Sequence, residues 1–154
     1  MSKHSSHALC LRNTERSLLR AEVLLVCEGT SGNDRKDGWH WGLPGGKCCS
    51  NKRTQGLCCA ETPAETVIRE CKEETGYDTV VEQFLRSEGQ QNPETGARFN
   101  KVFFLVKVAS GEPLRKKIFG TETPRWFPLS KLPRNMYRSH RDMLATYIIR
   151  ASVR

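Results

Sequence analysis

Residues 61–77, Glu-Thr-Pro-Ala-Glu-Thr-Val-Ile-Arg-Glu-Cys-Lys-Glu-Glu-Thr-Gly-Tyr, gather carboxylates at a spacing that could do chemistry. At about 100° per residue, a helix over this stretch would put Glu70, Glu73 and Glu74 within one arc of roughly 100°, beside the apolar positions rather than opposite them. Three like charges at i,i+3 and i,i+4 repel, and no Lys or Arg stands four residues beyond any of them. A solvated acidic face would carry compensating pairs, yet the spacing offers only Glu65 with Arg69. A hard divalent cation would supply the missing positive charge. The spacing favours a metal site over a solvated face.

The element that must position these acids announces its own ends. Thr62 is a good N-cap, Pro63 suits the first helical position, and Glu65 completes a Thr-x-x-Glu capping box. Gly76 is the natural stop, since glycine takes the left-handed conformation that closes a helix. Ala64, Val67, Ile68, Cys71 and Thr75 fall on one side at helical spacing, so that side is expected to face a core.

Arg69-Glu70-Cys71-Lys72-Glu73-Glu74-Thr75-Gly76-Tyr77 resembles the core of the Nudix box. Glu61 stands where that family places its first glutamate, and Trp41-Gly42-Leu43-Pro44-Gly45-Gly46-Lys47 resembles the family's entry into the box. The resemblance implies an α/β fold, a Nudix-type α/β/α sandwich with a mixed central sheet. It implies Mg²⁺ or Mn²⁺ held by Glu70, Glu74 and Glu73 with the Gly46 carbonyl. Arg69 would fix a box carboxylate, Glu61 or Glu73, in its metal-binding rotamer. The sequence departs from the family pattern in one place. Lys47 to Ala60 makes fourteen residues between the first glycine and the first glutamate where the family has five, an insertion of nine, and the stretch holds Cys48-Cys49, Lys52-Arg53 and Cys58-Cys59. Loop-closure entropy grows slowly with length, so the fold should tolerate it.

The rest of the chain is consistent with one domain over residues 1–154, large enough for a single core. No apolar run is long enough to span a bilayer, and the first residues lack the apolar segment of a secretory signal, so a cytoplasmic protein is expected. Seven cysteines, an odd number, argue against a disulfide framework. Cys10, Cys27 and Cys71 lie in apolar patterns and read as core thiols. The vicinal pairs at 48–49 and 58–59 lack the spacing of a zinc site and read as incidental loop thiols. The net charge of +8 is concentrated late: residues 111–154 hold ten basic and three acidic residues. That excess suits a polyanionic partner, RNA included, or ordinary solubilising surface.

Strands are expected at His7–Leu11 (short, at an edge), Glu22–Glu28 (central), Trp39–Trp41, Asp78–Glu88 and Lys101–Val108. Val80, Val81, Phe84 and Leu85 are the apolar positions of the fourth. Asn13–Arg20 is a polar connection with room for a helical turn, and Gly29–Gly38 is a loop by composition. Gln90–Gly96 is expected to turn, with Pro93 at a position where ADP-ribose-specific relatives carry a proline. Phe119–Pro133 resembles the closing segment of Nudix domains, with Glu122 in a loop before a Trp-bearing strand. Ser139–Ile149, apolar at Met143, Leu144, Tyr147 and Ile148, should be a helix packed on the sheet.

The activity these residues imply is metal-dependent hydrolysis of a phosphoanhydride in a nucleoside diphosphate-linked substrate: a nucleoside triphosphate, ADP-ribose or a dinucleotide. Glu73 and Glu122 are the candidates for taking the proton of the attacking water. Trp39, Trp41 and Lys47 are candidate substrate contacts, the tryptophans as stacking surfaces for a base. Two other readings stand beside it: an enzyme acting on the 5′ end of RNA, and a non-catalytic nucleotide- or RNA-binding module. Retention of Glu61, Glu70, Glu73 and Glu74 argues against the last.

Overall fold

In the computed structural model, which describes residues 3–15, 17–29, 39–48, 61–92, 94–115 and 121–153, a strand over His4–Arg12 (β1) runs through the middle of a mixed sheet. The elements that follow are β2 (Glu22–Gly29), β3 (Trp39–Gly42), β4 (Gly45–Lys47), α1 (Pro63–Thr75), β5 (Tyr77–Gln91), β6 (Arg98–Gly111), β7 (Thr121–Pro128) and α2 (Arg138–Ser152). Short 3₁₀ turns sit at Leu18–Arg20 and Leu129–Lys131. The sheet order is β3-β2-β1-β6-β5, with β4 added to β1 and β7 to β2. β1 and β6 are parallel and the other pairings are antiparallel.

The alternation of β1 divides the interior into two layers. Ala8 and Cys10 join Leu24, Val102, Phe104 and Val106 beneath Val67 and Cys71 of α1. Leu9 joins Val23, Leu25, Trp41, Leu43 and Phe103 beneath Met143 and Leu144 of α2. The result is an α/β/α sandwich, as expected. Cys10, Cys27 and Cys71 are buried thiols, and burial pushes the Cys10 thiol up to about 12.

Several expectations are corrected. β1 is central, not an edge, and begins at His4 rather than His7. Its first residues are polar but buried, so a hydrophobicity window starts too late. β5 and β6 form a hairpin longer than their apolar runs, and the turn begins at Asn92. Of the apolar positions of β5, Val80 and Phe84 are 48% and 56% exposed, on an outer strand of the sheet. Ile68 is 39% exposed, one residue past the face of α1 that meets the sheet. Glu122 lies in β7, opposite Cys27, rather than in a loop. The 30–38 part of the glycine-rich loop, Pro93, and the insertion with Cys49, Lys52, Arg53, Cys58 and Cys59 lie outside the described residues.

Two features place the glycine strand. β1 pairs with β2 only at Leu11 and Arg12, while its N-terminal half pairs with β4 through Ser5–Lys47, Ser6–Gly46 and His7–Gly45. The segment leading into α2 then grips β3 and the bend after it. Tyr137 N–H donates to the Trp41 carbonyl (2.9 Å), and Leu43 N–H donates to His140 Nδ1 (3.0 Å).

Candidate active site

Helix α1 starts as its sequence dictates. The Glu65 backbone N–H donates to the Thr62 hydroxyl, and the Glu65 carboxylate accepts from the Thr62 N–H (2.7 Å). The Thr62 N–H, and then the Thr62 hydroxyl, donate to the Glu65 carboxylate and hold it below its ordinary range. At the other end Gly76 takes the left-handed conformation (φ 82°) and its N–H donates to the Lys72 carbonyl.

With Glu65 taken up by the cap, the expected Glu65–Arg69 pair is replaced by a denser set of contacts. Arg69 Nε donates to Glu61 Oε1 (2.8 Å) and Nη2 to Glu61 Oε2 (3.1 Å), a bidentate fork. Nη1 donates to Glu70 Oε1 (2.8 Å) and Glu73 Oε2 (3.2 Å), and Nη2 also reaches the Lys47 carbonyl (3.2 Å). Glu61 first, and then Glu70, raise the guanidinium's proton affinity against the opposing effect of burial. The repulsion that the spacing predicted is thus relieved in part by an arginine inside the cluster.

The glycine strand closes the other side. Gly45 N–H donates to Glu74 Oε2 (2.8 Å). A Cβ built on Gly46 would stand 2.5 Å from the Glu70 carboxyl carbon, so the carboxylate occupies the space a side chain at 46 would need. Glu70 is 7% exposed, and burial raises its carboxyl above the ordinary range even though Arg69 pulls the other way. Glu73 is more open, with 56% of its side chain exposed.

The structure therefore brings Glu61, Arg69, Glu70, Glu73, Glu74, Gly46 and the backbone of Lys47 into one neighbourhood. It does not bring Trp41 there: that ring is buried, edge-on to Phe127 at 4.7 Å. Trp39 is 47% exposed at the start of β3. The Glu122 side chain lies outside the described residues. Sequence reading missed Thr66 and His4. Thr66 donates to Glu61 Oε2 (3.0 Å), and His4 Nε2 lies 2.9 Å from the Thr66 hydroxyl oxygen. A threonine on the buried side of a helix was the available signal for the first, and nothing marked the second.

Among the described residues no three acidic, histidine or cysteine side chains are arranged as a set of ion ligands. Arg69 holds three of the glutamates instead. The donor chemistry nevertheless fits a hard divalent cation: three carboxylates share one guanidinium, a fourth, Glu74, stands at the Gly45 N–H, and burial leaves the Glu70 charge under-compensated. All the candidate ligands are oxygens.

A model of the NUDIX domain family matches residues 3–147. YjhB of Bacillus subtilis, whose name provisionally describes it as an ADP-ribose pyrophosphatase, is 32% identical over 96 residues; the match covers 60% of this chain and 41% of that protein. Among solved structures, a MutT NUDIX hydrolase from Burkholderia pseudomallei superposes with a TM-score of 0.66 at 23% identity, covering 94% of this chain and 97% of that one. The NUDIX domain of Shewanella oneidensis NrtR, solved with ADP ribose, gives 0.63 at 17% identity over 98% of this chain and 89% of that one. The structural likenesses bear on fold; by the family match over residues 3–147, the chain belongs to the Nudix family.

Proposed function

We propose that this chain is a divalent-metal-dependent hydrolase that cleaves the phosphoanhydride of a nucleoside diphosphate-linked substrate, with ADP-ribose the first candidate and nucleoside triphosphates and dinucleotides beside it. The observation that carries this reading is the carboxylate cluster: Glu61, Glu70 and Glu73 gathered around Arg69, with Glu74 beside them accepting from the Gly45 N–H of the glycine strand. The names of the Bacillus relative and of the Shewanella complex support the choice of ADP-ribose.

Glu70, Glu74 and Glu73, with the Gly46 carbonyl, would hold the metal. Bound Mg²⁺ or Mn²⁺ would screen the pyrophosphate charge and lower the pKa of a water. Arg69 fixes the orientation of Glu70 and Glu73 through Nη1 while Glu61 fixes Arg69. In the reaction, the water oxygen bonds to phosphorus, the bridging P–O bond breaks, and its electron pair leaves with the departing phosphate. A carboxylate must take the water's proton. Glu73 is the more open of the helix acids and is the first candidate, with Glu122 the second. Trp39 and Lys47 are the candidates for contacting the nucleotide.

No helix among the described residues is long and apolar enough to cross a membrane. Among the described residues Cys10, Cys27 and Cys71 are buried cysteines in the apolar core, which fits a reducing compartment, the cytoplasm.

The test is a panel of ADP-ribose, nucleoside triphosphates, dinucleotides and 5′-triphosphorylated RNA with Mg²⁺, with Mn²⁺ and with EDTA. Metal-dependent release of AMP and ribose 5-phosphate from ADP-ribose is the expected result. The ten basic residues in 111–154 favour RNA as the second reading, and RNA affinity falling steeply with salt would support it. Absence of hydrolysis across the panel, with the fold intact, would leave a binding module.

A further inference from the structure

We propose that His4 and Thr66 are positioning residues: a buried hydrogen-bond relay runs from His4 through the Thr66 hydroxyl to Glu61, and through Glu61 it sets the Arg69 guanidinium that holds Glu70 and Glu73. This inference rests on the reading that the glutamate cluster holds a divalent cation.

The relay has a direction. Thr66 has one hydroxyl proton and donates it to Glu61 Oε2 at 3.0 Å. The oxygen's lone pairs are then what His4 Nε2 meets at 2.9 Å, so His4 must carry its proton on Nε2. Both members are sheltered, with Thr66 0% and His4 8% exposed. A buried threonine in a helix ordinarily returns its proton to the carbonyl one turn back. Thr75 of the same helix does so, donating to the Cys71 carbonyl at 2.6 Å. Thr66 instead spends its proton on a carboxylate that precedes the helix.

Glu61 needs that help. It lies before the N-cap, where no helical hydrogen bond fixes it. Its Oε2 accepts from Thr66 and from Arg69 Nη2, and its Oε1 accepts from Arg69 Nε. Together these bonds set the plane of the carboxylate and of the guanidinium bound to it, and so the direction in which Nη1 meets Glu70 and Glu73. His4 also accepts the Cys48 N–H on its backbone carbonyl (3.0 Å), at the end of β4. One residue therefore ties both the glycine strand and the start of α1 to β1.

Thr66→Val removes the proton and keeps the shape, Thr66→Ser keeps the proton, and His4→Phe keeps a ring without a donor. The probe is Mn²⁺ alone, titrated by electron paramagnetic resonance, alongside the kcat and KM of hydrolysis and the NMR signal of the Arg69 Nε–H in metal-free protein. Thr66→Val is expected to weaken Mn²⁺ binding and lower kcat by about tenfold with KM little changed, and to shift the Nε–H signal. His4→Phe should act in the same direction, and Thr66→Ser should restore most of both losses. Wild-type Mn²⁺ affinity, kcat and Nε–H signal in Thr66→Val would overturn the relay. Thr66→Ser failing to restore function while Thr66→Val and Thr66→Ser melt alike would overturn it too. A wild-type protein that binds no Mn²⁺ and hydrolyses nothing would instead overturn the metal reading, and the Arg69 signal would still report on whether Thr66 sets the guanidinium.

Discussion

Two adjacent glycines separate folding from function at the residue scale. Gly46→Ala would drive its Cβ into the Glu70 carboxyl group, the movable end of a side chain. Gly45→Ala would meet the Ser6 carbonyl oxygen and the His7 Cα, both backbone, at a φ of 155°. We expect Gly46→Ala to keep its melting temperature within a few degrees while Mn²⁺ binding and turnover fall. Gly45→Ala should lose about 3 kcal/mol of stability, the upper range for overpacking at a site that cannot yield. Urea unfolding and Mn²⁺ titration of both variants check the pair, and equal destabilisation would refute the distinction. Glu74→Gln keeps the shape and its acceptor for the Gly45 N–H but removes a charge. Turnover should fall by orders of magnitude, about 10² or more if the carboxylate is a metal ligand, with folding preserved.

At the scale of elements, α1 was legible almost to the residue because its stops are local chemistry: Thr62, Pro63, Glu65 and Gly76 act within one turn of the ends they define. Removing the cap should show its weight. Thr62→Ala is expected to cost about 1 kcal/mol, read from the shift in urea midpoint, with a smaller loss on Thr62→Ser. The strands were legible only where apolar runs coincide with burial. β2 and the middle of β6 satisfy that condition, whereas β1 buries Ser5, Ser6 and His7 under two layers and β5 exposes Phe84. The glutamates of the site could be read because they share one helix. What Arg69 does with them could not: its partners come from 61, 70 and 73 and from the Lys47 carbonyl, and that choice depends on β4 entering the gap beside β1. His4 was hidden for the same reason, lying 62 positions from Thr66.

Across the whole molecule, the acid limb of stability should be governed by two histidines buried under α2. His7 and His140 meet with ring centroids 4.6 Å apart and planes tilted by 57°, beside Phe103, and His140 also meets Tyr137. Lys101 adds a nearby positive charge from β6, with Ser139 accepting from its ammonium at 3.2 Å and Glu88 as its carboxylate neighbour. Burial, and then the Lys101 charge, lowers the His7 pKa to about 3, and burial holds His140 well below its usual value. A base whose folded pKa lies below the unfolded one binds its proton preferentially in the unfolded chain, so stability is intact above the unfolded value of 6.5 and is lost as pH falls toward 3. At pH 5 His7 alone would cost about 2 kcal/mol, a large part of the 5–15 kcal/mol a domain usually has. His7→Phe should flatten that limb. It also removes two buried ring nitrogens without a hydrogen-bond partner, so its stability at pH 7.5 should equal or exceed that of the wild type. Urea midpoints for both proteins between pH 7.5 and 4.5 provide the measurement. Parallel curves would mean that His7 takes up its proton without unfolding the chain, and that the layer beneath α2 admits water where the structure shows it closed.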